Sequence, residues 1–127
     1  EISASAWVKT VGVGNVNEDE IILDIGLDTV HLFSDIAASA RTLIWNGPLG
    51  FSELPPFAIG SIEFAKAVAA SKAFTIVGGG ETVTVIDKLG LADSINFIST
   101  GGGAMLEFLA GDSLPGIEAL RHTQWKS

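Results

Sequence analysis

The chain has 127 residues, a length typical of one domain, and its 47% hydrophobic and 17% charged residues exclude an intrinsically disordered protein. The absence of cysteine excludes disulfides and thiolate metal sites, and no apolar run approaches the roughly 18 residues of a membrane span, so we expect no membrane partner. Seven basic residues are scattered singly among fifteen acidic ones, and a net charge of −8 without a basic stripe argues against a nucleic-acid partner.

The first third of the chain predicts one extended segment and one helix. Residues 6–13 alternate in polarity and are rich in β-branched side chains, which is typical of a strand. A polar turn follows, and residues 21–23 form a short apolar run. Residues 29–40 carry apolar side chains at helical spacing, and Thr29 is the expected N-cap of that helix.

From residue 42 onward, apolar strands alternate with helices. Strands are predicted at 42–45, 74–77 and 96–99, and helices at 61–71 with Ser61 as its cap, 82–89, 104–110 and 117–120. Pro55 and Pro56 argue against a helix directly after the first of these strands, and a frayed tail is expected from residue 121. Strands alternating with helices predict βαβ crossovers. The expected fold class is therefore α/β, a partial Rossmann-like parallel sheet with helices on both faces in three layers.

Glycine-bearing loops follow three of the predicted strands, at residues 46–53, 78–82 and 100–103. In parallel βαβ units such loops share the carboxyl edge of the sheet, where open α/β folds bind ligands. Glycines let the backbone approach a phosphate, and unpaired N–H groups at a helix start point toward it. The alternative is that these loops are only tight turns. They lack the lysine of a Walker loop and the GxGxxG spacing of a dinucleotide site.

Four polar side chains in these loops suit a nucleotide. The hydroxyl of Thr82 can contact a phosphate, and the Glu81 carboxylate can hold a magnesium ion carried by the nucleotide. Asn46 can orient a phosphate, and Glu53 can accept hydrogen bonds from ribose hydroxyls. The alternatives are that Glu81 stabilises a helix dipole and that Glu53 is simply solvated.

Five motifs, in order, resemble those of the phosphoglycerate kinase family over about residues 20–120. They are Trp45-Asn46-Gly47-Pro48, Gly50-Phe51-Ser52-Glu53, residues 78–82, residues 99–104 with Leu106-Glu107, and Leu114-Pro115-Gly116. Asp24-Ile25-Gly26 is similar to the family's D-I-G-P segment. The departures are Leu27 for proline, Phe51-Ser52 for a Val-Phe or Ala-Phe pair, Ser61 for threonine, and Glu81 for aspartate.

The resemblance implies a role for each loop. The nucleotide-binding residues would be Asn46, Gly47, Pro48, Phe51, Glu53, Gly79, Gly80, Glu81 and Thr82. Glu81 would meet the magnesium of Mg²⁺ bound to ADP or ATP, the implied cofactor. The backbone N–H groups of Gly102 and Gly103 would face the transferring phosphoryl group, a catalytic role that needs no side chain.

The resemblance also implies a two-domain, cytoplasmic, glycolytic kinase. The family transfers a phosphoryl group between 1,3-bisphosphoglycerate and ADP, giving 3-phosphoglycerate and ATP. Residues 1–127 would be the C-terminal part of the nucleotide-binding domain, without the N-terminal substrate domain or the front of the C-domain that supplies lysines near the phosphates. We therefore expect the isolated chain to be inactive and to self-associate through exposed apolar surface.

Two other interpretations stay open from the sequence. The chain can be a non-catalytic nucleotide-binding module or assembly subunit on the same half-fold. Glu81 in place of aspartate favours this interpretation, whereas the intact glycine run at 101–103 favours catalysis. A purely structural piece without a ligand is the third interpretation.

Overall fold

The computed structural model describes residues 2–122. Its helices and strands are α1 (Leu27–Ser39), β1 (Thr42–Asn46), α2 (Ile59–Ala70), β2 (Phe74–Gly78), α3 (Gly80–Lys88), β3 (Phe97–Ser99), α4 (Gly102–Ala110) and α5 (Pro115–His122), with 3₁₀ turns at Pro55–Phe57 and Ala92–Ser94. In the part of the chain so described, no helix combines the length and the hydrophobicity needed to cross a bilayer.

The three strands form one parallel sheet whose spatial order, β1-β2-β3, is also their order in the chain. In register, Trp45 lies beside Val77, and Val77 lies beside Ile98. A helix joins each strand to the next, as parallel pairing requires. The predicted α/β fold with a parallel sheet is confirmed.

The hydrophobic core lies between one face of the sheet and helices α2 and α3. Trp45 and Val77 point from the sheet into this layer, where they join Val68 of α2 and Ile86 of α3. Val68, Val77 and Ile86 are all 0% exposed. The ring of Phe64 meets Trp45 edge-on at 5.2 Å between centroids. Burial of these side chains is the main stabilising contribution to the fold.

Among the described residues, the opposite face of the sheet is covered near its carboxyl end and open toward its amino end. At the carboxyl end, Met105 of α4 lies against Gly78, since a Cβ atom built on Gly78 would be 2.6 Å from the Met105 Cε. Toward the amino end, Ile44, Phe74 and Phe97 are 45%, 53% and 55% exposed. We call these three residues the open face.

Of the two alternatives expected for residues 6–13, a strand or an extended segment, the strand is wrong, because residues 2–26 contain no strand. Alternating β-branched residues suit a strand, but a strand also needs a neighbour to pair with, and β1 pairs only with β2 among the described residues. Trp7 is 82% exposed and Val13 is fully exposed, so this segment buries little apolar surface.

Two predicted helix caps are also wrong. Helix α1 begins at Leu27 after Gly26, so Thr29 lies inside its first turn. Helix α2 begins at Ile59, and the Ser61 Oγ instead accepts a hydrogen bond of 2.9 Å from the Leu49 N–H. A long-range partner for the hydroxyl therefore overrides the local capping preference.

The regions around the prolines and at the C-terminus differ from prediction as well. Pro55 and Pro56 open a short 3₁₀ helix, where the missing proline N–H would be unpaired anyway. Arg121 and His122 belong to α5, so the tail does not begin at residue 121. The rest of the predicted frayed tail, residues 123–127, lies outside the described residues.

Lys9 and Glu20 form an ion pair that ties the N-terminal segment together. Lys9 and the Asn17 N–H both stabilise the carboxylate and lower the pKa of Glu20. A lowered pKa stabilises the fold at pH values above the unfolded pKa, and this contribution disappears as the pH falls through the folded pKa.

Lys9→Ala is expected to raise the pKa of Glu20, as followed by NMR titration of its carboxyl carbon. Lys66→Ala, which removes the exposed Lys66–Glu63 pair, is the control, and an unchanged titration in Lys9→Ala contradicts the prediction.

Candidate functional site

The three glycine-bearing loops meet at the carboxyl edge of the sheet. Asn46 lies beside Gly78 and Gly78 beside Ser99 in register, so the three strands end at one level. A cavity of about 360 Å³ opens between the first two loops. It is lined by Asn46, Gly47, Pro48, Gly79, Gly80, Glu81 and Thr82, seven of the nine predicted nucleotide-binding residues. The structure thus brings together residues more than 30 positions apart in the chain.

Thr82 joins the first two loops with a hydrogen bond that the sequence did not reveal. Its side chain is 0% exposed, and its Oγ1 accepts a hydrogen bond of 2.8 Å from the Gly47 N–H. On the other side of Gly47, the Trp45 Nε1–H donates a hydrogen bond of 2.7 Å to the Gly47 carbonyl oxygen. Gly47 has a φ of +95°, a conformation that favours glycine. The buried Thr82 side chain therefore holds the first loop against the start of α3.

Asn46 lies at the centre of the three loops. Its Oδ1 is buried and has no hydrogen-bond partner among the described residues. Cβ atoms built on Gly79 and Gly102 would lie 3.1 Å and 2.7 Å from this oxygen. A carboxamide can donate through Nδ2 and accept through Oδ1. Asn46 therefore brings both kinds of hydrogen-bonding group to the point where the loops converge.

Two helix N-termini lie at the same edge, each two residues earlier than predicted. Helix α3 begins at Gly80 and α4 at Gly102, so each glycine run reaches into the first turn of the helix that follows it. Their N-cap residues, Gly79 and Gly101, have no side chain to cap the free N–H groups. Unpaired N–H groups and the helix dipole together favour an anion at such a position. Gly103 lies in the exposed first turn of α4, with open space around its Cα.

Glu53 and Glu81 line a second cavity of about 260 Å³ between α2 and α3. Glu81 borders both cavities, so it connects them. Lys88 stands on the wall of the second cavity. The sequence analysis missed this cation because it lies two helical turns beyond the loop. Phe51 is 40% exposed and lines neither cavity.

The described residues include no group of three histidine, aspartate or glutamate side chains placed to hold a metal ion. Glu81 is the only carboxylate of the first cavity. Mg²⁺ prefers about six oxygen ligands and commonly takes several of them from nucleotide phosphates and water. The donor set therefore suits a magnesium ion that arrives with a nucleotide and meets one protein carboxylate.

The parallel sheet with helices between its strands defines an α/β fold, a class of proteins that binds ligands at the carboxyl edge of the sheet. The family model described as phosphoglycerate kinase matches residues 1–112. The chain belongs to the phosphoglycerate kinase family, as the five motifs indicated.

Related sequences agree with this assignment. The chain is 48% identical over 124 residues to a phosphoglycerate kinase of Desulfosudis oleivorans, a match that covers 98% of this chain and 31% of that protein. It is 52% identical over 120 residues to a phosphoglycerate kinase of Solibacter usitatus, covering 94% of this chain and 30% of the relative. The chain therefore spans about a third of the length of these relatives.

Solved structures show the same partial coverage. The phosphoglycerate kinase of Coxiella burnetii matches with a TM-score of 0.84 and 42% identity, over 94% of this chain and 31% of that one. The phosphoglycerate kinase of Pyrococcus horikoshii matches with a TM-score of 0.72 and 46% identity, over 80% of this chain and 25% of the other. At these identities the likeness extends from the fold to the family.

Proposed function

We propose that this chain is the C-terminal part of a nucleotide-binding domain and forms the phosphate end of an Mg·ADP or Mg·ATP site. The observation that carries the proposal is the convergence of Asn46, Thr82 and the first turn of α3 on one cavity of about 360 Å³. Gly102 of α4 approaches the same point. Two helix N-termini and an orientable amide suit the phosphates of a nucleotide in an otherwise acidic chain.

The positions of the side chains support the following proposed nucleotide contacts. Asn46 donates from Nδ2 to a phosphate oxygen, and the buried Thr82 holds Gly47 in place at the edge of the site through its hydroxyl. Gly79 and Gly80 let the backbone approach closely because they present no side chain. Glu53 accepts hydrogen bonds from ribose hydroxyls at the far side of the site. Gly47 and Pro48 form part of the wall of the first cavity, and Phe51 stands outside both cavities on the same loop.

Magnesium supplies charge neutralisation between the phosphates when the nucleotide is bound. Glu81 holds the ion through its carboxylate, from the border of both cavities. Glu81 is exposed at the first turn of α3. Its side chain is longer than that of the family's aspartate, so its carboxylate can reach a metal ion that lies further from the helix backbone.

Phosphoryl transfer is the proposed reaction of the whole protein, between 1,3-bisphosphoglycerate and ADP in the cytoplasm. Such reactions depend on positioning and charge stabilisation rather than on covalent help from side chains. The N–H groups of Gly102 and Gly103, at the positive end of the α4 dipole, stabilise the charge on the transferring group. The acidic substrate needs cations that the three loops lack, so a remaining part of the kinase supplies its site.

The same remainder of the kinase is the proposed partner of the open face. Without it, the exposed Ile44, Phe74 and Phe97 drive self-association, and turnover is absent.

The second candidate function, a non-catalytic nucleotide-binding module, is favoured by Glu81 alone. Phosphoryl transfer by the longer protein distinguishes the two, because a non-catalytic module binds nucleotide without turnover.

Glu81→Gln tests the assignment of the metal contact. The variant keeps the side-chain shape but loses the charge. Mg·ADP is expected to bind about tenfold more weakly, because a hydrogen-bonded or metal-held charge contributes about a factor of ten to the affinity. Binding of metal-free ADP is not weakened, because the lost carboxylate repels phosphates that no metal ion neutralises. Calorimetric titration with ADP, with and without Mg²⁺, measures both affinities.

Asp87→Asn is the matched control, because Asp87 is an exposed acid on the same helix but lines neither cavity. Wild-type affinity for Mg·ADP in Glu81→Gln contradicts the metal assignment. A wild-type chain that binds no ADP contradicts the proposed function itself.

A further inference from the structure

Asp24 caps helix α2 from a segment far away in the chain. Its Oδ2 accepts a hydrogen bond of 2.8 Å from the Gly60 N–H, 36 residues further on. Its Oδ1 accepts one of 2.8 Å from the Ile25 N–H. Ala58, the N-cap residue of α2, has no side-chain oxygen to offer the first turn of the helix. A carboxylate at this position satisfies a free N–H group and complements the helix dipole.

Two glycines make room for the Asp24 carboxylate. A Cβ built on Gly60 would lie 2.4 Å from Asp24 Oδ1, and one built on Gly50 would lie 2.3 Å from the same atom. Neither glycine has a positive φ, so packing rather than backbone conformation explains the missing side chains. The carboxylate therefore fits between the first loop and the first turn of α2.

The first loop is held to the same place by two further hydrogen bonds. The Phe51 N–H donates to the oxygen of Leu23, the residue before Asp24, at 2.8 Å. The Leu49 N–H donates to the Ser61 Oγ at 2.9 Å. Residues 49–51 are thus tied both to the segment before α1 and to the start of α2, and Glu53 follows two residues later.

We propose that Asp24 is a positioning residue for the nucleotide site: it joins the segment before α1 to the start of α2 and so holds the loop that carries Phe51 and Glu53. Asp24 lines neither cavity and acts only through these neighbours. The inference rests on the proposed function, because it assigns the positioned loop to nucleotide binding.

Asp24→Asn in the full chain is the first test. Asparagine keeps the shape but has one side-chain oxygen, so it can accept from only one of the two N–H groups. The rate of amide hydrogen exchange is expected to rise about tenfold at Phe51 and at either Gly60 or Ile25, because one charged hydrogen bond is lost. For the same reason, the Kd for Mg·ADP is expected to rise about fivefold. Asp35→Asn, at an exposed acid of α1, is the control and changes neither quantity.

Gly60→Ala provides a second variant that leaves Asp24 in place. The new methyl group displaces the carboxylate. Amide hydrogen exchange at residue 60, Ile25 and Phe51 and the Kd for Mg·ADP are therefore expected to rise. In an Asp24→Ala background the collision with Oδ1 is gone and the one with Ile25 Cγ1, at 2.6 Å, remains, so Gly60→Ala is expected to have a smaller effect on both quantities. Such non-additivity is typical of residues in direct contact, and fully additive effects overturn the proposal.

The outcomes separate this inference from the function on which it rests. Faster exchange at Gly60 together with unchanged Mg·ADP affinity overturns the positioning role alone, as does unchanged exchange at Gly60, Ile25 and Phe51. A wild-type chain that binds no Mg·ADP overturns the proposed function and this role with it. Parallel changes in exchange and affinity in both variants support the proposal.

Discussion

Gly102→Ala is expected to separate α4 from the other two loops and to abolish binding of nucleotide phosphates. The added Cβ would lie 2.6 Å from the Gly79 nitrogen, 2.8 Å from the Gly79 Cα and 2.7 Å from Asn46 Oδ1. Two of these atoms are backbone and cannot turn away, so α4 must shift. Overpacking of this kind costs about 3 kcal/mol of the free energy of unfolding. Urea denaturation measures the loss of stability, and calorimetry with Mg·ADP measures the loss of binding.

Gly103→Ala is the control for this loss of stability. A Cβ on Gly103 meets nothing within 4 Å, and Gly103 has no positive φ. Alanine there is expected to raise stability by up to about 1 kcal/mol, because it favours a helix more than glycine does. Equal urea midpoints for the two variants would show that the close approach at Gly102 is absent in solution.

Ile86→Ala is expected to lower the free energy of unfolding by about 3 kcal/mol, within the range for truncation of a buried isoleucine. Ile86 is 0% exposed and lies at the centre of the layer between α2, α3 and the sheet. The cavity left behind cannot collapse fully because strands and helices surround it. The midpoint and slope of urea unfolding, followed by circular dichroism, measure the change.

Ile36→Ala removes the same atoms from a helix surface, since Ile36 is 58% exposed on α1. This control is expected to change stability by less than about 0.5 kcal/mol. A similar loss in both variants contradicts the assignment of the core to the α2–α3 side of the sheet.

The strands and their loops were predictable because buried parallel strands appear in sequence as short apolar runs. Once βαβ crossovers are assigned, the convergence of the loops follows from topology, and the structure places Asn46 beside Gly78 as that argument requires. The five ordered motifs led to the right family. The roles assigned to individual site residues stay predictions, which the variants described above test.

The features that the sequence did not reveal depend on contacts between distant segments. The bond from the Gly47 N–H to Thr82 joins residues 35 apart, and the bond from the Gly60 N–H to Asp24 joins residues 36 apart. Local spacing contains no signal for either pair. Residues 6–13 show the opposite failure, since a good strand pattern forms no strand when the segment pairs with no other strand.

The match between strand order and chain order has a consequence for how the fold is acquired. Residue 42 pairs with residue 74, and residue 76 pairs with residue 97, so each strand meets a partner already made when the chain is synthesised from its N-terminus. Strands β1 and β2 and helix α2 can therefore leave the ribosome as a pairing unit before β3 has emerged. Later addition of β3 extends the free edge of β2 and breaks no existing hydrogen bond, so growth of the sheet can proceed in one direction during translation.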